Sequence, residues 1–571
     1  MNILAFGWAL SCAVTLPGHF GPWDDAAFER AGASDRLVLL SIGTKWCHWC
    51  HVMEETTWAD AAVQAELTTG FVAIRVDAET RPDLAARYED YGWPATIVLH
   101  PNGTDLVKLR GYVPPERMLS LLRAVRADPT PGPSAIAGPA PVSGPFDDAL
   151  RAELVDRSVS GWDEAEGGWG TTTKYLDLGN LDWSLARGRT GDDAALQRAR
   201  TVVDKTTTLV DPVWGGAFQY SEGGVWDKPH FEKIAWVQAA DLTAFARASA
   251  LWGGDNYRQA GDAIVRYVDA FFTADDGAFY TSQDADLVRG QHAAGYFDLD
   301  DAGRRAQGMP FIDTSVWPRE NGLIIEAFAW RAMWLGDDAA RDRAVRAWLA
   351  VEGRFPMGDT GPMRSEAGET YLGDVTAMGK AAFTLWQATG DDVWLERSMD
   401  LASTVPAYRA HAGGFVTSLS RGRLVPFPSL DENVELSRWA KLLAAATGDV
   451  KWKEVSAHAL LAVAERVRAP RLAVGAALLA DAEHAASPLD VKVVGSGPLA
   501  TELWRSALAD PSSFRLIRRW EGAGSAPDWA TDLPELDGAT SAFVCRQGTC
   551  VEVRDASGLR VQMQGGYKQA G

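Results

Sequence analysis

A strand-like stretch near the start of the chain runs into two cysteines: Leu37-Val38-Leu39-Leu40-Ser41-Ile42-Gly43-Thr44-Lys45-Trp46-Cys47-His48-Trp49-Cys50-His51. Its apolar first half predicts a buried strand that ends in a short turn. The cysteines have two residues between them, and an amphipathic, helix-like segment then runs from Val52 through Leu67. A strand followed by Cys-x-x-Cys at the start of a helix is typical of a reactive dithiol.

The predicted chemistry is thiol–disulfide exchange at Cys47 and Cys50. We expect Cys47 at the helix N-terminus with its sulfur exposed, because the free N–H groups and the macrodipole there stabilise a thiolate. Cys50, one turn later, is placed to attack a mixed disulfide on Cys47. A cationic His48 would lower the pKa of Cys47 further. Trp46 and Trp49 offer apolar surface beside the sulfur.

Three other interpretations of this motif stay open. Cys-x-x-Cys-His is also the attachment pattern of c-type haem, with His51 as the iron ligand. Zinc needs four ligands, and His48 and His51 could add nitrogens to the two sulfurs. The cysteines could also be inert core residues. We favour redox use, because paired cysteines beside a strand end are typical of a dithiol, and we expect no metal and no cofactor.

The next residues predict the element order of thioredoxin. The segment 71–77 alternates and is rich in β-branched residues, which predicts a strand. Pro94 precedes another apolar strand and is a candidate for a cis peptide bond, since only X–Pro bonds adopt cis at low cost. In thioredoxin-like folds such a proline lies against the dithiol. A strand over 105–112 and a helix over 118–127 complete the order β-α-β-α-β-β-α.

These motifs resemble the thioredoxin-like domain of the spermatogenesis-associated thioredoxin-domain proteins. The matching residues are Trp46-Cys47-His48-Trp49-Cys50-His51-Val52-Met53, Asp77, Arg81-Pro82-Asp83 and Gly92-Trp93-Pro94. The segment between Arg81 and Gly92 is shorter here, and an aromatic stretch expected after the proline strand is missing. The resemblance implies a thioredoxin-like domain, over 21–127, that is close to the plain fold.

Composition bounds the function classes. The chain has 571 residues, 47% hydrophobic and 23% charged, which is typical of a multidomain globular protein. Its net charge of −21 argues against nucleic-acid and anionic-membrane partners. Five cysteines exclude a disulfide-built scaffold. No stretch is long and apolar enough for a membrane span. We expect a cytoplasmic protein; the alternative is export through the apolar segment 1–20, which lacks the basic start of a signal.

After a Pro/Gly-rich linker over 128–145, the pattern of residues 146–486 is helical. Glycine–aspartate turns recur at Gly191-Asp192, Gly254-Asp255, Gly336-Asp337, Gly390-Asp391 and Gly448-Asp449, where glycine can end one helix and aspartate can cap the next. Glycine–aromatic connections recur at Gly168-Trp169, Gly216-Ala217-Phe218, Gly277-Ala278-Phe279 and Gly414-Phe415. The repeats predict an (α/α)6 barrel of six hairpins, the sixth formed by 146–158 and 472–482.

The resemblance extends into this barrel. The matching stretches are 211–220, 228–233, 280–286 and 321–323. Candidate pocket residues stand at helix starts and after an aromatic stretch: His230, Glu232, Asp284, Asp286, Glu320, Asn321 and Asp374. Such groups could perform acid/base chemistry on a sugar. Acidic residues at helix starts are also ordinary caps.

Residues 487–571 predict a small α/β unit. Val491-Lys492-Val493-Val494-Gly495 indicates a strand, and 499–508 a helix. Cys545 and Cys550 flank a glycine turn, so they could be structural or form a second redox pair. The fold class is therefore a thioredoxin-like domain, a central (α/α)6 barrel and a C-terminal α/β unit.

Two active functions and one inactive one compete. We favour a thiol–disulfide oxidoreductase that acts on protein thiols or disulfides, with Pro94 shaping the substrate groove and the barrel binding a carbohydrate or protein substrate. The alternative is a carbohydrate-active barrel, hydrolase- or epimerase-like, with the first domain in a regulatory or docking role; this rests on fold analogy. The third is a scaffold in which neither site turns over.

Overall fold

The computed structural model describes residues 20–24, 26–88, 92–135, 145–365, 368–469, 473–522, 525–531, 533, 540–546 and 548–564. Cys12, nearly all of the N-terminal segment 1–20 and the middle of the linker 128–145 therefore lie outside the described residues. The chain divides into two compact units. The first comprises the residues up to Gly138 together with Val288–Gln291 and Arg421–Val425, and the second comprises the rest.

The first unit contains a five-stranded sheet in the order β1-β3-β2-β4-β5. Its strands are β1 Phe20–Gly21, β2 Leu37–Gly43, β3 Phe71–Asp77, β4 Ala95–Leu99 and β5 Asp105–Arg110. Strand β3 runs parallel to β1 and β2, whereas β4 runs antiparallel to β2 and β5. Its helices are α1 Ala26–Ala33, α2 His48–Glu55, α3 Ala61–Gly70, α4 Pro82–Tyr88 and α5 Pro115–Ala127. This is the predicted thioredoxin-like fold, with β1 and α1 placed before the predicted elements.

Both faces of this sheet are buried. Val38, Leu40 and Ile42 of β2 belong to one apolar cluster, whereas Leu37 and Leu39 belong to the other. Successive side chains of a strand point to opposite faces, so a continuous apolar run is what a strand covered on both sides requires. Strand β2 is therefore packed on both faces as far as Ile42, just before the turn that leads to the dithiol.

One helix predicted from Val52 through Leu67 is wrong, since two helices occupy this stretch. Helix α2 ends at Glu55, and α3 begins after Asp60, whose carboxylate accepts the N–H groups of Ala62 and Val63 at 2.9 Å. Trp58, between the helices, is 2% exposed and belongs to the apolar core. A capping aspartate and a buried aromatic residue therefore break the helix, although the apolar periodicity continues.

The second unit is the predicted (α/α)6 barrel followed by an α/β part. Five hairpins are α7 Leu178–Arg189 with α8 Asp193–Thr206, α9 Ala235–Trp252 with α10 Asp255–Phe271, α13 Pro318–Leu335 with α14 Asp338–Arg354, α15 Leu372–Thr389 with α16 Val393–Thr404, and α17 Leu430–Thr447 with α18 Lys451–Arg466. The sixth pairs α6 Asp148–Ser160 with α19 Gly475–Ala485, and both pack into one apolar cluster. The inner helices contact one another in the order α9, α13, α15, α17, α19, α7.

The glycine–aspartate turns behave largely as predicted. Gly336, Gly390 and Gly448 follow helix ends in the left-handed conformation. Asp192 and Asp337 accept backbone N–H groups of the next helix. At the second turn Gly254 occupies the cap position instead, and Asp255 lies within the first turn of α10. Within the described residues, no helix is both long and apolar enough to cross a membrane.

Short elements fill the barrel connections. They are β6 Thr173–Lys174, β7 Tyr220–Glu222, β8 Pro229–His230, β9 Lys233–Ile234, β10 Ser282–Gln283, α11 Ala294–Phe297, α12 Asp301–Gln307, β11 Ile312–Asp313, β12 Met357–Gly358 and β13 Gly361–Pro362. The C-terminal part contains β14 Leu489–Val494, α20 Gly497–Leu508, β15 Arg515–Trp520, β16 Ser541–Arg546, β17 Thr549–Val553 and α21 Ala556–Gln564. Its sheet order is β15-β14-β16-β17.

Candidate functional sites

The two cysteines of the first unit lie at the start of α2 and are joined by a disulfide. Cys47 is the N-cap residue, with extended backbone, and its Sγ accepts the Cys50 N–H at 3.2 Å. The Cys47 carbonyl accepts the N–H groups of Cys50 and His51 at 3.0 and 3.2 Å. The turn after β2 thus places the Cys47 sulfur where the unpaired N–H groups of a helix favour negative charge.

The expected exposure of Cys47 is wrong in this disulfide form. Cys47 and Cys50 each keep only 5% of their surface exposed. The bond to Cys50 and the N–H of the first helical turn cover part of the Cys47 sulfur that a free thiol would expose. Access to this bond is therefore narrow.

Gly43 is a residue of this site that the sequence analysis missed. A Cβ atom at this position, the last of β2, would lie 2.8 Å from the Cys50 sulfur. Real Cβ atoms do not approach a sulfur this closely, so glycine keeps the strand end next to the dithiol. The glycine directly before the turn was the available signal.

Aromatic side chains flank the disulfide. Trp46 is buried, and its Nε1 donates to Glu79 Oε1 at 2.7 Å. Trp49 is 40% exposed, with its ring 5.1 Å from that of His48 and 5.9 Å from that of Tyr112. The exposed ring of Trp49 is therefore the apolar surface next to the dithiol.

His51 and Pro94 were also predicted for the dithiol site. His51 is buried, and its Nε2 lies 3.0 Å from the Lys45 carbonyl. The Trp93–Pro94 peptide bond is cis, as predicted, and the Pro94 carbonyl accepts the Gly111 N–H at 2.8 Å. Both sulfurs are used by the disulfide, so neither is free for a thioether bond to haem or for a zinc ion in this form.

A cavity of about 390 Å³ lies among the inner helices of the barrel. Residues from all six inner helices line it. Its aromatic walls include Tyr175, Trp236, Trp330, Phe383 and Trp439. Six acidic side chains face four basic ones, namely Asp177, Asp182, Glu326, Asp431, Glu435 and Glu483 against Arg247, Arg319, Lys380 and Arg438. The lining is therefore aromatic and rich in charge, with an excess of carboxylates.

The charges of this cavity are organised in ion pairs. Lys380 binds Glu435 and lies 3.2 Å from Glu326. Arg438 donates two hydrogen bonds to Glu483, at 2.8 and 3.1 Å. Burial, with the charge of Asp431, raises the pKa of Asp177 to about 6, although Asn180 donates hydrogen bonds to it. A carboxyl group that titrates near neutrality suits proton transfer.

None of the seven predicted barrel residues lines this cavity. His230 is buried and stacks on Tyr220, with Nε2 at 2.5 Å from Glu222 and Nδ1 at 3.6 Å from Glu232. Burial favours the neutral imidazole, but the hydrogen bonds and charges of Glu232 and Glu222 prevail and raise the pKa of His230. His230 and Glu232 therefore form a buried acid/base pair of their own.

The acidic candidates are held by local contacts. Asp284 accepts the Asp286 N–H at 2.9 Å, and Glu320 accepts a hydrogen bond from Arg319 at 2.9 Å. Asp374 forms a two-point ion pair with Arg364, both contacts at 2.6 Å, and accepts the Arg319 N–H. Burial raises the pKa of Asp374 in spite of this pair.

Asn321 is part of a repeated contact. Its side chain accepts the Phe279 N–H at 2.7 Å and donates to the Phe279 and Trp317 carbonyls at 2.9 and 3.0 Å. Gln238 does the same with Ala217 and Ile234, and Asn433 with Phe415 and Ser429. Each amide is the fourth residue of an inner helix and fastens a glycine–aromatic connection. We call this contact the amide clasp; Asn321 thus has a structural role.

Asp241 of α9 is an isolated buried carboxyl group. It is 2% exposed, and no described residue forms a hydrogen bond or ion pair with it. Burial raises its pKa well above the usual range. Because the folded state then binds a proton that the unfolded state loses near pH 4, the contribution of Asp241 to stability becomes unfavourable as the pH rises above 4.

We therefore expect Asp241→Asn to stabilise the protein at pH 8 by about 1–3 kcal/mol and to have little effect near pH 4. Calorimetric unfolding of both proteins across this range measures the difference. Asp342→Asn, at a side chain that is 65% exposed, is the matched control and should change little at either pH. A pH-independent difference between Asp241→Asn and the natural protein contradicts the prediction.

The C-terminal part contains a second disulfide. Cys545 of β16 and Cys550 of β17 are paired directly in the antiparallel ladder and are bonded to each other, with their Cα atoms 4.0 Å apart. Cys545 is buried against Val494 and Phe543, whereas Cys550 is exposed.

Comparison with known proteins gives matches to the first unit and to longer stretches. Residues 10–126 match the family described as Thioredox_DsbH, protein of unknown function, DUF255. Human spermatogenesis-associated protein 20 is 28% identical over 308 residues, which are 47% of this chain and 39% of the human protein. The thiol:disulfide interchange protein DsbD of Ralstonia nicotianae is 32% identical over 103 residues, 17% of each chain. The match thus spans about two fifths of the human relative.

Among solved structures, D-mannose isomerase is similar with a TM-score of 0.46 and 11% identity, covering 61% of this chain and 99% of that one. This likeness carries no conclusion about activity. The sequence matches to spermatogenesis-associated protein 20 and to the Thioredox_DsbH family agree with the architecture described above. The chain is accordingly similar to the spermatogenesis-associated thioredoxin-domain proteins, as its sequence motifs predict, with a thioredoxin-like domain and a six-hairpin barrel.

Proposed function

We propose that the protein is a thiol–disulfide oxidoreductase whose reacting groups are Cys47 and Cys50. The observation that carries the proposal is the disulfide between the N-cap residue of α2 and the residue one turn later. The similarity of a 103-residue stretch of the chain to a thiol:disulfide interchange protein supports it. The substrate class is a protein thiol or disulfide.

The reaction balances as a two-step exchange. The Cys47 thiolate of the reduced protein attacks one sulfur of a substrate disulfide, forms a mixed disulfide and releases one substrate thiolate. The Cys50 thiolate then attacks the Cys47 sulfur, the second substrate thiolate leaves, and the Cys47–Cys50 disulfide forms. Two electrons pass to the substrate, and the reverse sequence oxidises a substrate dithiol.

The geometry supports Cys47 as the attacking group. Its sulfur accepts the Cys50 N–H, and a hydrogen bond to a thiolate favours the charged form. The start of α2 contributes the positive end of the helix dipole in the same direction. The exposed Trp49 ring beside it offers an apolar contact for a substrate chain.

The pKa of Cys47 tests this proposal. In the reduced protein we expect iodoacetamide to alkylate Cys47 with a midpoint below the value of about 8.5 of an ordinary thiol. Mass spectrometry of the Cys47 peptide, after alkylation at a series of pH values, measures the midpoint. Reduced Cys545 and Cys550 serve as internal comparisons. A midpoint at or above 8.5 for Cys47 is evidence against an activated thiol.

The barrel cavity favours a second candidate function, binding of a neutral sugar with acid/base chemistry. Aromatic faces and hydrogen-bonding charges are what a polyhydroxylated ligand with an apolar face requires, and a cavity of about 390 Å³ is large enough for a small ligand. The excess of carboxylates disfavours phosphorylated or acidic ligands. Asp177 would supply the titrating group.

Trp236 tests this second candidate, because its ring lines the cavity and is 39% exposed. We expect calorimetric titration with neutral mono- and disaccharides to detect binding, and Trp236→Ala to weaken it by about 1 kcal/mol, roughly fivefold. Trp236→Phe keeps an aromatic face and should retain most of the affinity. The candidate is rejected when the sugars do not bind or when Trp236→Ala binds them as the natural protein does.

A further inference from the structure

The Cys545–Cys550 disulfide has the features of an exchangeable bond. Only four residues separate the two cysteines, so the bond closes a short loop. It therefore constrains the unfolded chain less than a disulfide that closes a long loop. The antiparallel ladder pairs the same two residues and their neighbours from Ala542 to Arg546 with Thr549 to Val553. The hairpin is therefore held by backbone pairing as well as by the bond.

One sulfur of this bond belongs to an exposed residue. Cys550 lies on β17, the edge strand of the sheet, and the residues Thr549–Glu552 are all exposed. Cys545 lies on β16 and is 7% exposed. Attack on a disulfide requires access to one of its sulfurs, and the exposed residue of this pair is Cys550, which makes Cys545 the leaving group of such an attack.

The same protein contains a dithiol of the kind that reduces disulfides, the Cys47/Cys50 pair in its reduced form. The chain has five cysteines, which are these two, the Cys47–Cys50 pair and Cys12. Because access to Cys47 is narrow, a disulfide with one cysteine on an exposed edge strand is a better partner for it than a disulfide whose two cysteines are buried. We propose that Cys545–Cys550 is a second exchange site, which accepts electrons from the reduced Cys47/Cys50 dithiol of another copy of the chain. This inference rests on the proposed oxidoreductase function.

The transfer balances in atoms and electrons. The Cys47 thiolate attacks Cys550 Sγ, the Cys545–Cys550 bond breaks, and Cys545 leaves as a thiolate that takes up a proton. The Cys50 thiolate then attacks Cys47 Sγ and releases Cys550 as a thiolate. The first copy ends with the Cys47–Cys50 disulfide, and the second has gained two electrons and two protons as free thiols.

Two full-length variants separate donor from acceptor, both with Cys12→Ser. The donor carries Cys545→Ser and Cys550→Ser and is reduced beforehand; the acceptor carries Cys47→Ser and Cys50→Ser and is oxidised. After mixing and alkylation, mass spectrometry counts the thiols on the acceptor. We expect Cys545 and Cys550 to become alkylated at least tenfold faster than with a control donor that also carries Cys47→Ser.

A trapping variant identifies the attacked sulfur. A donor with the additional substitution Cys50→Ser should accumulate a disulfide from Cys47 to Cys550. A link to Cys545 overturns the assignment of Cys550 as the attacked sulfur. An equal rate with the control donor, or an acceptor that stays oxidised, overturns the exchange site, and the proposed function still stands when the same donor reduces insulin. A donor that reduces neither the acceptor nor insulin overturns the proposed function as well.

Discussion

Replacing Cys47 by serine is expected to lower the rate of insulin-disulfide reduction by at least about 10²-fold, because a hydroxyl group is not ionised at neutral pH and does not attack disulfides. Dithiothreitol serves as the electron source, and the precipitation of reduced insulin reports the rate. Cys12→Ser removes a cysteine outside the Cys-x-x-Cys motif and is the matched control, with an expected rate close to that of the natural protein. A rate that survives Cys47→Ser contradicts the proposed role.

Cys50→Ser gives a different expected result. Cys47 still attacks the substrate, but no second thiolate resolves the product, so the mixed disulfide accumulates. Non-reducing electrophoresis and mass spectrometry should show a covalent adduct through Cys47. The contrast between the two variants distinguishes the attacking from the resolving cysteine, because loss of folding would remove both activity and adduct.

Asp211→Ala is expected to destabilise the barrel unit by about 3–5 kcal/mol. Asp211 binds two cations that are fully buried, Lys233 at 2.7 Å and Arg304 through two hydrogen bonds. The two cations keep carbonyl partners, Gly215 for Lys233 and Phe297 for Arg304, but no described carboxylate other than Asp211 pairs with them. Burial lowers the pKa of Lys233 to about 8 even with Asp211 in place.

Denaturant unfolding followed by tryptophan fluorescence measures this loss. Asp211→Asn keeps the shape and removes the charge, so it should also destabilise strongly and provides a second variant where alanine prevents folding. Asp342→Ala breaks an ion pair whose carboxylate is 65% exposed, and its expected effect is within about 0.5 kcal/mol. A loss below about 1 kcal/mol for both Asp211 variants would show that the cluster is not a stabilising centre.

Strong local signals made the first fold predictable. The apolar run of β2, the alternation of β3 and the proline before β4 each specify one strand or turn, and the observed strands begin at Leu37, Phe71 and Ala95. The break between α2 and α3 was missed because a capping aspartate and a buried tryptophan interrupt the helix without interrupting its apolar period. Periodicity alone does not separate one bent helix from two.

The barrel was predictable as an architecture but not as a site. Repeated glycine turns specify hairpins, since glycine adopts without strain the left-handed backbone conformation that ends a helix. Most residues that line the cavity lie within the inner helices, such as Trp236 and Lys380, and they look like ordinary helix positions in the sequence. The sequence pattern pointed instead to acidic and amide residues at helix starts, and of these Asn321 fastens a glycine–aromatic connection. Its recurrence as Asn433 behind Gly414-Phe415 was the available signal.

The amide clasp ties each of three inner helices to one glycine–aromatic connection of the barrel. Gln238, Asn321 and Asn433 each bind one connection and the residue before their own helix, and none of them shares its connection with another clasp. A change of length in one connection is thereby confined to one sixth of the ring. The connections of such a barrel can change one at a time, for a new ligand, while the ring of inner helices stays the same.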